Sequence, residues 1–491
     1  MNNVSLKILF ASSEVFPFAK TGGLADVSSG LPLALDHLGH DVRVIMPAYK
    51  SIVDNAKKYD IRLNTIKPFS GRLLEGHLPR SKVKIWFVDL PELFYRNGGP
   101  YLATNGIDWP DNAERFNTFA KVVTQISNDA FGLNWKPDLV HSNDWQTALV
   151  PAYLSQQESR PATVFTIHNM AYLGLFPLDT IELLDMPQEW NTWEQLEFHK
   201  QLSFMKGGLV FSDQINTVSP TYAKQICTAK YAYGLEGLLQ HRKNALSGIL
   251  NGVNYAQWNP NKDTHIVKNY SLKTLENKSE NKTALQNEFG LPQNIDTPLI
   301  GLIGRMVEQK GFDLLIDVLP SVLQKNVQFV VLGSGDANLE NQFIQIANAY
   351  PEKISVKVGF DESLSHLIEA GADMFLMPSR FEPCGLNQFY SLKYGTIPLV
   401  SSTGGLADSV ENITSNSILN KTATGFTFAD SSTIELENAI HSALQTYQNK
   451  DLWNALMTNA MKMDFSWSKS AQNYTNLYHK AIQSQELQKA N

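Results

Sequence analysis

Short runs of apolar residues alternate with helical patterns along almost the whole chain, and this alternation restricts the possible folds more than any other feature. The runs lack the polar–apolar alternation of half-exposed strands, so each is predicted to be a strand buried on both faces. Buried strands separated by helices are typical of parallel sheets that carry helices on both faces. The predicted strands lie at residues 6–11, 42–47, 83–88, 139–141, 163–167 and 214–218, and at 299–303, 327–332, 354–358, 374–377 and 397–400.

A chain of 491 residues is too long for a single hydrophobic core, and the two groups of strands predict two domains. We expect a first Rossmann-like domain at residues 1–250 and a second at 251–465, with the boundary in a stretch punctuated by Asn, Gly and Pro. Residues 466–491 have helical composition and are predicted to form a helix that packs back on the first domain. The predicted fold class is therefore α/β, with two doubly wound Rossmann-like domains facing a deep cleft.

Charge and cysteine content narrow the class of protein. The net charge of −7 does not favour a nucleic acid or an anionic membrane as a partner. The two cysteines, Cys227 and Cys384, lie far apart in sequence, which argues against a disulfide framework and fits a reducing compartment. The amino-terminal residues lack the pattern of a signal peptide, and no apolar run reaches the roughly 20 residues of a membrane span. These features predict a cytoplasmic enzyme, and they do not indicate an oligomeric state.

A glycine loop follows the first predicted strand. Lys20 precedes Gly22 and Gly23, and a helical pattern begins directly after them. Such a turn allows backbone N–H groups to approach an anion, and Lys20 adds a positive charge, although a purely structural turn is equally compatible with the residues. The hexapeptide Thr-Gly-Gly-Leu-Ala-Asp occurs at 21–26 and again at 403–408. The repetition favours two similar domains that face one ligand.

Charged side chains follow two strands of the second half. Arg305 and Lys310 come after the strand at 299–303, where a guanidinium fork and an ammonium group suit phosphate oxygens. A solvated basic pair is the alternative, and the position at a strand end favours the phosphate site. Glu382 lies in a turn bounded by Pro and Gly, and its carboxylate is suited to holding sugar hydroxyls or stabilising developing positive charge. The alternative is a glutamate that caps the next helix.

Cysteine, histidine and aspartate side chains after the predicted strands are further candidates for chemistry. Cys384 is a conceivable nucleophile, but a small buried packing residue is the favoured interpretation. His168, just past a strand, is either a structural histidine or a hydrogen-bonding partner for a sugar. His141 and Asp144 flank another strand end, where Asp144 offers a carboxylate. These side chains are too few and too poorly spaced for a metal site, so the sequence predicts no metal.

Taken together, these segments resemble the family of bacterial glycogen synthases and plant starch synthases, which are retaining glycosyltransferases of the two-domain type B fold. The resemblance covers nearly the whole chain. It implies transfer of glucose from ADP-glucose to the non-reducing end of an α-1,4-glucan, such as glycogen or a maltooligosaccharide, with release of ADP and no cofactor. The segments that carry it are 20–27, 41–47, 141–145, 166–169, 217–222, 234–238, 251–253, 305–311, 382–386 and 403–408.

The resemblance also implies roles for individual residues. Arg305 and Lys310 match the residues that bind the donor diphosphate, and Glu382 matches the carboxylate near the donor sugar. The implied catalytic residues are Glu382, His168, Lys310, Arg305 and Asp144. The implied substrate-binding residues are Lys20, Gly22, Gly23, Asp26, Asn251, Arg305, Lys310, Cys384, Gly385, Leu386, Thr403, Gly404 and Gly405.

The chemistry of the leaving group agrees with this interpretation. A departing nucleotide diphosphate gains negative charge, which fixed cations stabilise, and the family is thought to react by front-face attack with the leaving phosphate as base. No residue is marked by the sequence as a nucleophile. Two alternatives remain open, namely a glucosyltransferase that uses UDP-glucose and a catalytically silent glucan-binding protein.

Overall fold

The structure, a computed structural model, describes residues 5–59, 62–66, 71–429 and 432–490. It divides into two compact units, of which the first comprises Met1–Gly252 with Trp467–Asn491 and the second comprises Val253–Ser466. The predicted boundaries after residues 250 and 465 differ from these by two residues and one residue. Residues 1–4 and Asn491, which belong to predicted segments, lie outside the described residues.

The first unit is an α/β domain whose elements alternate as predicted. Its strands are β1 (Lys7–Ala11), β2 (Asp41–Pro47), β3 (Arg62–Ile66), β4 (Arg72–His77), β5 (Lys84–Asp89), β6 (Leu139–Asn143), β7 (Ala162–Ile167), β8 (Leu175–Pro177), β9 (Glu197–Phe198), β10 (Gln201–Ser203), β11 (Gln214–Thr217) and β12 (Leu246–Gly248). Its helices are α1 (Leu24–His37), α2 (Lys50–Asp54), α3 (Pro91–Phe94), α4 (Asn112–Ser127), α5 (Leu149–Ser155), α6 (Thr180–Leu183), α7 (Phe204–Phe211), α8 (Pro220–Gln225), α9 (Ala229–Ala232) and α10 (Glu236–His241), with 3-10 turns at Trp145–Thr147 and Gln188–Trp190.

A nine-stranded sheet of order β12-β11-β7-β6-β1-β2-β5-β4-β3 forms the centre of the first unit. The chain runs outward from β1 through β2 to β5, and then returns to place β6 on the other side of β1, so the strand order reverses between β1 and β6. Strand β4 is antiparallel to both of its neighbours, and the sequence did not predict this edge. The reason is that β4, with the sequence RLLEGH, lacks the continuous apolar run that identified the other strands. The short strands β8, β10 and β9 form a separate three-stranded sheet.

The second unit repeats this architecture with a smaller, wholly parallel sheet. Its strands are β13 (Leu299–Ile303), β14 (Gln328–Gly333), β15 (Ile354–Val358), β16 (Met374–Met377), β17 (Ile397–Ser401) and β18 (Phe426–Phe428). Its helices are α11 (Lys278–Glu288), α12 (Phe312–Val322), α13 (Ala337–Ala349), α14 (Glu362–Gly371), α15 (Asn387–Tyr394), α16 (Gly404–Ser409), α17 (Ser415–Leu419), α18 (Thr433–Tyr447) and α19 (Lys450–Lys462), with 3-10 turns at Leu275–Asn277 and Glu308–Lys310. The strand order is β15-β14-β13-β16-β17-β18, and it reverses between β13 and β16.

Counted over the parallel strands alone, both sheets have the Rossmann order, in which the first strand is central and the fourth, β6 or β16, lies beside it. The predicted fold class of two Rossmann-like α/β domains is therefore confirmed. The residues of β14 are all buried, as expected for a strand covered on both faces. Among the described residues, no helix has the length and apolar character required to cross a bilayer.

The last helix, α20 (Trp467–Ala490), packs against α1 and β7 of the first unit. Gly30 of α1 allows the approach, because a Cβ there would lie only 2.1 Å from the Trp467 indole nitrogen. Further along α20, the Tyr478 hydroxyl lies 2.9 Å from Nδ1 of the fully buried His141, whose Nε2 lies 2.7 Å from the Thr166 hydroxyl. His141 therefore has a structural role at this helix.

Candidate functional site

Most candidate residues follow the strands that flank the reversal of strand order in each unit. In the second unit they occupy the segments after β13 and β16, and Thr403, Gly404 and Gly405 follow β17. In the first unit they follow β1, β6 and the neighbouring β7, and Asn251 follows β12. In open α/β sheets, ligands bind beyond the carboxyl ends of the strands at this reversal, because the loops on either side diverge there and leave a crevice. Each unit therefore presents most of its candidate residues where its sheet topology favours binding.

A glycine brings the two loops of the second unit together. Gly311 ends the 3-10 turn Glu308–Lys310 with a positive φ of 70°, and a Cβ there would lie 2.0 Å from the carbonyl oxygen of Pro378. The backbone N–H of Arg380 donates to the Gln309 carbonyl at 2.8 Å. The loop after β13 is thus fixed against the loop after β16, which places Lys310 beside Glu382.

Lys310 and Glu382 form an ion pair with an Nζ–Oε2 distance of 2.5 Å. The Glu382 side chain is 7% exposed and that of Lys310 is 24% exposed. The Ser379 hydroxyl donates to the same carboxylate oxygen at 3.2 Å. A buried carboxylate is costly without a cation and hydrogen bonds, so these two donors explain why Glu382 is tolerated here. An ammonium group has three N–H donors, so Lys310 can also donate to a bound anion.

The two arginines of these loops differ in availability. Arg380 donates through both terminal nitrogens to the Asp313 carboxylate, at 2.7 and 2.6 Å, and the pair ties α12 to the loop after β16. Arg305 is exposed, and no described residue forms an ion pair or a side-chain hydrogen bond with its guanidinium. Arg305 is therefore the arginine that a phosphate can engage without breaking a structural contact.

The second glycine loop supports the backbone around Glu382. Gly404 has a positive φ of 44°, and a Cβ there would lie 2.0 Å from the carbonyl oxygen of Glu382. A Cβ on Gly405 would lie 2.2 Å from the carbonyl of Cys384, and the Gly405 N–H donates to the Glu382 carbonyl at 3.2 Å. Cys384 and Thr403 are buried, Gly385 has a positive φ of 73°, and Leu386 precedes α15 as its N-cap. The predicted substrate-binding residues at 384–386 and 404–405 thus lie in or against the turn that carries Glu382.

In the first unit, Asp144 adopts a strained backbone conformation directly after β6. Its φ of 56° and ψ of 179° belong to a region populated almost only by glycine, at a cost of about 1–3 kcal/mol. The Asp144 N–H donates to the Thr166 carbonyl at 2.9 Å, and Asp144 Oδ1 accepts the His168 N–H at 2.7 Å. The surrounding structure therefore imposes this conformation, and strain of this kind is concentrated at functional sites.

Burial shifts the pKa values of Asp144 and His168 in opposite directions. Burial raises the pKa of Asp144 to about 7, although backbone N–H groups of His168 and Asn169 oppose the rise. Burial lowers the pKa of His168 to about 3, so the imidazole is neutral near pH 7. Its Nε2 lies 2.9 Å from Oδ1 of Asn143, whose amide nitrogen already donates to the Ala11 carbonyl. Nε2 must then carry the proton, which leaves Nδ1 as an acceptor.

Glu14 is the functional candidate that the sequence did not reveal. Its buried carboxylate accepts the backbone N–H groups of Thr21 and Gly22 at 2.5 and 3.1 Å, and the hydroxyl groups of Thr21 and Tyr101 at 2.5 and 2.6 Å. The amides of the first glycine loop thus already bind a carboxylate, and Gly23 serves as the N-cap of α1. The available signal was a single acidic residue in the otherwise uncharged stretch between β1 and the loop.

The other predicted residues of the first unit differ in their surroundings. Lys20 forms an ion pair with Asp26 at 2.9 Å, in which the side chains are 45% and 27% exposed. Asn251 is buried, and its Oδ1 has no hydrogen-bond partner among the described residues. A buried acceptor without a donor costs about 1–3 kcal/mol, which makes Asn251 a candidate for ligand contact. Within the described part of the chain, no group of three or more His, Cys, Asp or Glu side chains is arranged to hold a metal ion.

Comparison with protein families separates the chain into the same two parts. Residues 7–241 match the family described as starch synthase catalytic domain, and residues 286–462 match glycosyl transferases group 1. The first match ends before the boundary between the two units, and the second lies wholly within the second unit.

Individual relatives match over nearly their whole length. The chain is 52% identical to glycogen synthase 1 of Methylococcus capsulatus over 477 residues, which cover 97% of each chain. It is 50% identical to the glycogen synthase of Thioalkalivibrio sulfidiphilus over 478 residues, which cover 96% of this chain and 99% of the relative. Among solved structures, the catalytic domain of starch synthase IV from Arabidopsis thaliana, bound to ADP and acarbose, matches with a TM-score of 0.86 and 30% identity over 98% of this chain and 100% of that chain.

Proposed function

The chain belongs to the glycogen synthase family of glycosyltransferases, and we propose that it transfers glucose from ADP-glucose to the non-reducing end of an α-1,4-glucan and releases ADP. Support for the donor comes from the similar starch synthase, which is bound to ADP. Glycogen and maltooligosaccharides are the proposed acceptors. A cytoplasmic location is part of the proposal, and it is consistent with two cysteines that form no disulfide.

The ion pair between Lys310 and Glu382 is the observation that carries the proposed mechanism. It places a cation and a buried carboxylate 2.5 Å apart, with the exposed Arg305 in the same loop as Lys310. We assign Lys310 and Arg305 to the donor diphosphate, where they stabilise the charge that develops on the leaving group. Glu382 then lies next to the bond that breaks, where its carboxylate holds the donor sugar. No metal and no cofactor are required in this scheme.

Asp144 and His168 are assigned to the transferred sugar. As a carboxylate, Asp144 stabilises positive charge that develops on the sugar, and the neutral His168 accepts a hydrogen bond from a sugar hydroxyl at Nδ1. The configuration at the anomeric carbon is retained in this proposal by attack from the face of the leaving group, whose phosphate accepts the proton of the acceptor hydroxyl. Asn251, Lys20 and Asp26 are assigned to donor binding.

The deciding experiment measures nucleoside diphosphate release from purified protein that is incubated with glycogen and either ADP-glucose or UDP-glucose. A chelator is added in one series to remove metal ions. We expect release from ADP-glucose that depends on glycogen and is insensitive to the chelator. Incorporation of labelled glucose into glycogen, followed by digestion with an α-1,4-specific glucosidase, establishes the linkage.

Each of the other outcomes rejects a definite part of the proposal. Release from UDP-glucose alone keeps the mechanism and rejects the donor. Loss of activity with the chelator rejects the metal-independent mechanism. Glycogen binding without release from either donor, in protein shown to be folded, rejects catalysis and leaves a glucan-binding protein.

A further inference from the structure

A small cavity lies in the first unit, on the side of the glycine loop that carries Lys20. Its volume is about 220 Å³. The walls come from the segment 18–20 after β1, the segment 49–51 at the start of α2, the segment 94–100 after α3, and Arg115 of α4. Three connections of one sheet edge therefore enclose it.

The walls of this cavity are strongly basic. Lys20, Lys50, Arg96 and Arg115 line it, and none of the described residues that line it is Asp or Glu. Three of these cations do have carboxylate partners, but the partners lie outside the lining: Asp26 at 2.9 Å from Lys20, Asp54 at 3.0 Å from Lys50, and Asp111 at 2.8 Å from Arg96. The cavity itself thus collects positive charge without a negative group on its surface.

Arg115 is the cation whose position most requires an anion. Its side chain is fully buried, and it donates to the carbonyl oxygens of Leu93 and Pro100 at 2.9 and 3.0 Å and to Asn112 Oδ1 at 2.7 Å. All three acceptors are neutral, and no carboxylate of the described residues lies within ion-pair distance of the guanidinium. Burial lowers the pKa of Arg115, although the more distant Asp111 carboxylate opposes the fall. A buried charge without a carboxylate in direct contact is costly, and an anion in the cavity would offset that cost.

We propose that this cavity binds a phosphate-type oxyanion, either inorganic phosphate or the phosphate group of a small monoester. Two arginines and two lysines match phosphate oxygens, because guanidinium groups donate in pairs and ammonium groups act as compact charges. The volume is below the roughly 300–1,000 Å³ of sites for drug-sized ligands, so it excludes a nucleotide sugar. The cavity contains no residue of the second unit, so neither Arg305 nor Lys310 lines it. Lys20 is the one cation of the cavity that is also assigned to donor binding, whereas Lys50, Arg96 and Arg115 belong to the cavity alone.

Isothermal titration of the full-length protein with inorganic phosphate and with glucose 6-phosphate tests the proposal. Sodium chloride at matched ionic strength serves as the reference. We expect saturable binding of at least one of the two ligands. Tighter binding of the ester identifies a monoester as the natural ligand, and tighter binding of inorganic phosphate identifies the free anion.

Paired variants locate the binding site. The double variant Arg96→Gln/Lys50→Gln removes two lining cations, and its affinity should fall about tenfold or more because charge-assisted hydrogen bonds are lost. The matched control Lys224→Gln/Lys243→Gln removes two exposed lysines of the same unit that do not line the cavity, and its affinity should be unchanged. Lys50→Gln alone, which changes a partly exposed side chain, provides the test if the double variant does not fold.

A third variant separates this site from the proposed donor site. Arg305→Ala/Lys310→Ala should bind the anion as the unmodified protein does, whatever its effect on glucosyl transfer. Loss of anion binding in that variant, together with retention in Arg96→Gln/Lys50→Gln, would place the anion at the donor site and overturn the proposal. Absence of saturable binding by the unmodified protein at millimolar concentrations of both ligands would overturn it as well.

Discussion

The hexapeptide Thr-Gly-Gly-Leu-Ala-Asp occurs in both units, and in both it holds a buried glutamate, but by opposite parts of that residue. In the first unit, the amides of Thr21 and Gly22 bind the side-chain carboxylate of Glu14. In the second unit, Gly404 and Gly405 pack against the backbone around Glu382, whose carboxylate is left to Lys310 and Ser379. Identical sequences therefore serve as a receptor for a carboxylate in one unit and as a backbone support in the other.

The surroundings require a glycine at Gly404 of the second loop but not at Gly22 of the first. A Cβ on Gly22 would have no neighbour within 4 Å, whereas a Cβ on Gly404 would lie 2.0 Å from the carbonyl oxygen of Glu382. The loops also occupy different topological positions, since the first follows β1 at the centre of its sheet, whereas the second follows β17, which is separated from the equivalent central strand β13 by β16. The repeat predicted two similar domains, and two similar domains exist, but the two loops are not equivalent parts of them.

The buried carboxylates of the two units differ in whether a cation or only neutral groups donate hydrogen bonds to them. Glu382 has a cation partner, while Glu14 and Asp144 accept hydrogen bonds only from neutral groups among the described residues. The carboxylates of the first unit are thus stabilised by dipoles, and that of the second unit by a charge. Removal of the cation should have the largest effect, and changes at the neutral donors should have smaller ones.

Lys310→Met should reduce kcat/KM for the donor by about 10²–10³-fold, because it removes a cation from the leaving group and leaves Glu382 buried without its counter-charge. The measurement is nucleoside diphosphate release at donor concentrations well below KM. Lys357→Met is the matched control, since Lys357 also pairs with a glutamate of the second unit, Glu288, but at an exposed position. Kinetics of Lys310→Met within threefold of the control would contradict the assigned role.

Gly404→Ala should destabilise the protein by roughly 2–4 kcal/mol, because the new methyl group meets the Glu382 carbonyl and the backbone has a positive φ. Gly22→Ala should change the stability by less than about 0.5 kcal/mol, since the space around it is open. Urea unfolding followed by fluorescence compares the two midpoints. Equal midpoints for the two variants would show that the loops do not differ as the structure indicates.

The strands and the cations were predictable from the sequence because they depend on local pattern. The predicted runs at 299–303 and 374–377 coincide with β13 and β16, since a strand buried on both faces is a continuous apolar run. Arg305 and Lys310 were predictable as binding residues because charged residues that follow such a strand lie at the binding edge of the sheet.

What the sequence did not reveal depends on contacts between distant residues. Glu14 and Tyr101 are 87 residues apart, and only the fold shows that the Tyr101 hydroxyl donates to the carboxylate that fills the glycine loop. The strained backbone of Asp144 likewise requires the strand pairing of β6 with β7, which supplies the Thr166 carbonyl and the His168 N–H. No local pattern encodes either feature.

Glu14→Gln should lower the free energy of unfolding by about 2 kcal/mol. Oε2 accepts two backbone N–H groups, so a glutamine must place its carbonyl oxygen there and turn its NH₂ group to the hydroxyls of Thr21 and Tyr101. The two hydroxyls then lose their charged acceptor and must accept instead of donate. The exposed Glu92, at the start of α3, gives the matched control Glu92→Gln, for which a change within about 0.5 kcal/mol is expected. Equal unfolding midpoints for the two variants would contradict the role of Glu14 as the anion of the first loop.

The smallest predicted effect is a pH dependence that originates in the first unit. With a pKa of about 7, Asp144 is ionised to roughly nine-tenths at pH 8 and one-tenth at pH 6, so kcat/KM should fall about tenfold over that range if the carboxylate is the active form. His168 does not contribute, because its pKa of about 3 keeps it neutral throughout. Asp144→Asn preserves the acceptor for the His168 N–H, and its residual activity should be independent of pH between 6 and 8.

Stability should change with pH in the opposite direction to activity, and this contrast identifies Asp144. Its pKa in the folded protein, about 7, lies above the value of about 3.9 for the unfolded chain, so the folded state binds the proton more tightly between those limits. The stabilisation that it contributes is therefore complete below about pH 4 and is lost as the pH rises toward 7, while the activity increases. Asp144→Asn should remove both trends. If kcat/KM of the unmodified protein and of Asp144→Asn changed with pH in the same way, a group other than Asp144 would cause the pH dependence. Asp144 would then be ionised throughout this range, with the neighbouring backbone dipoles sufficient to stabilise its charge.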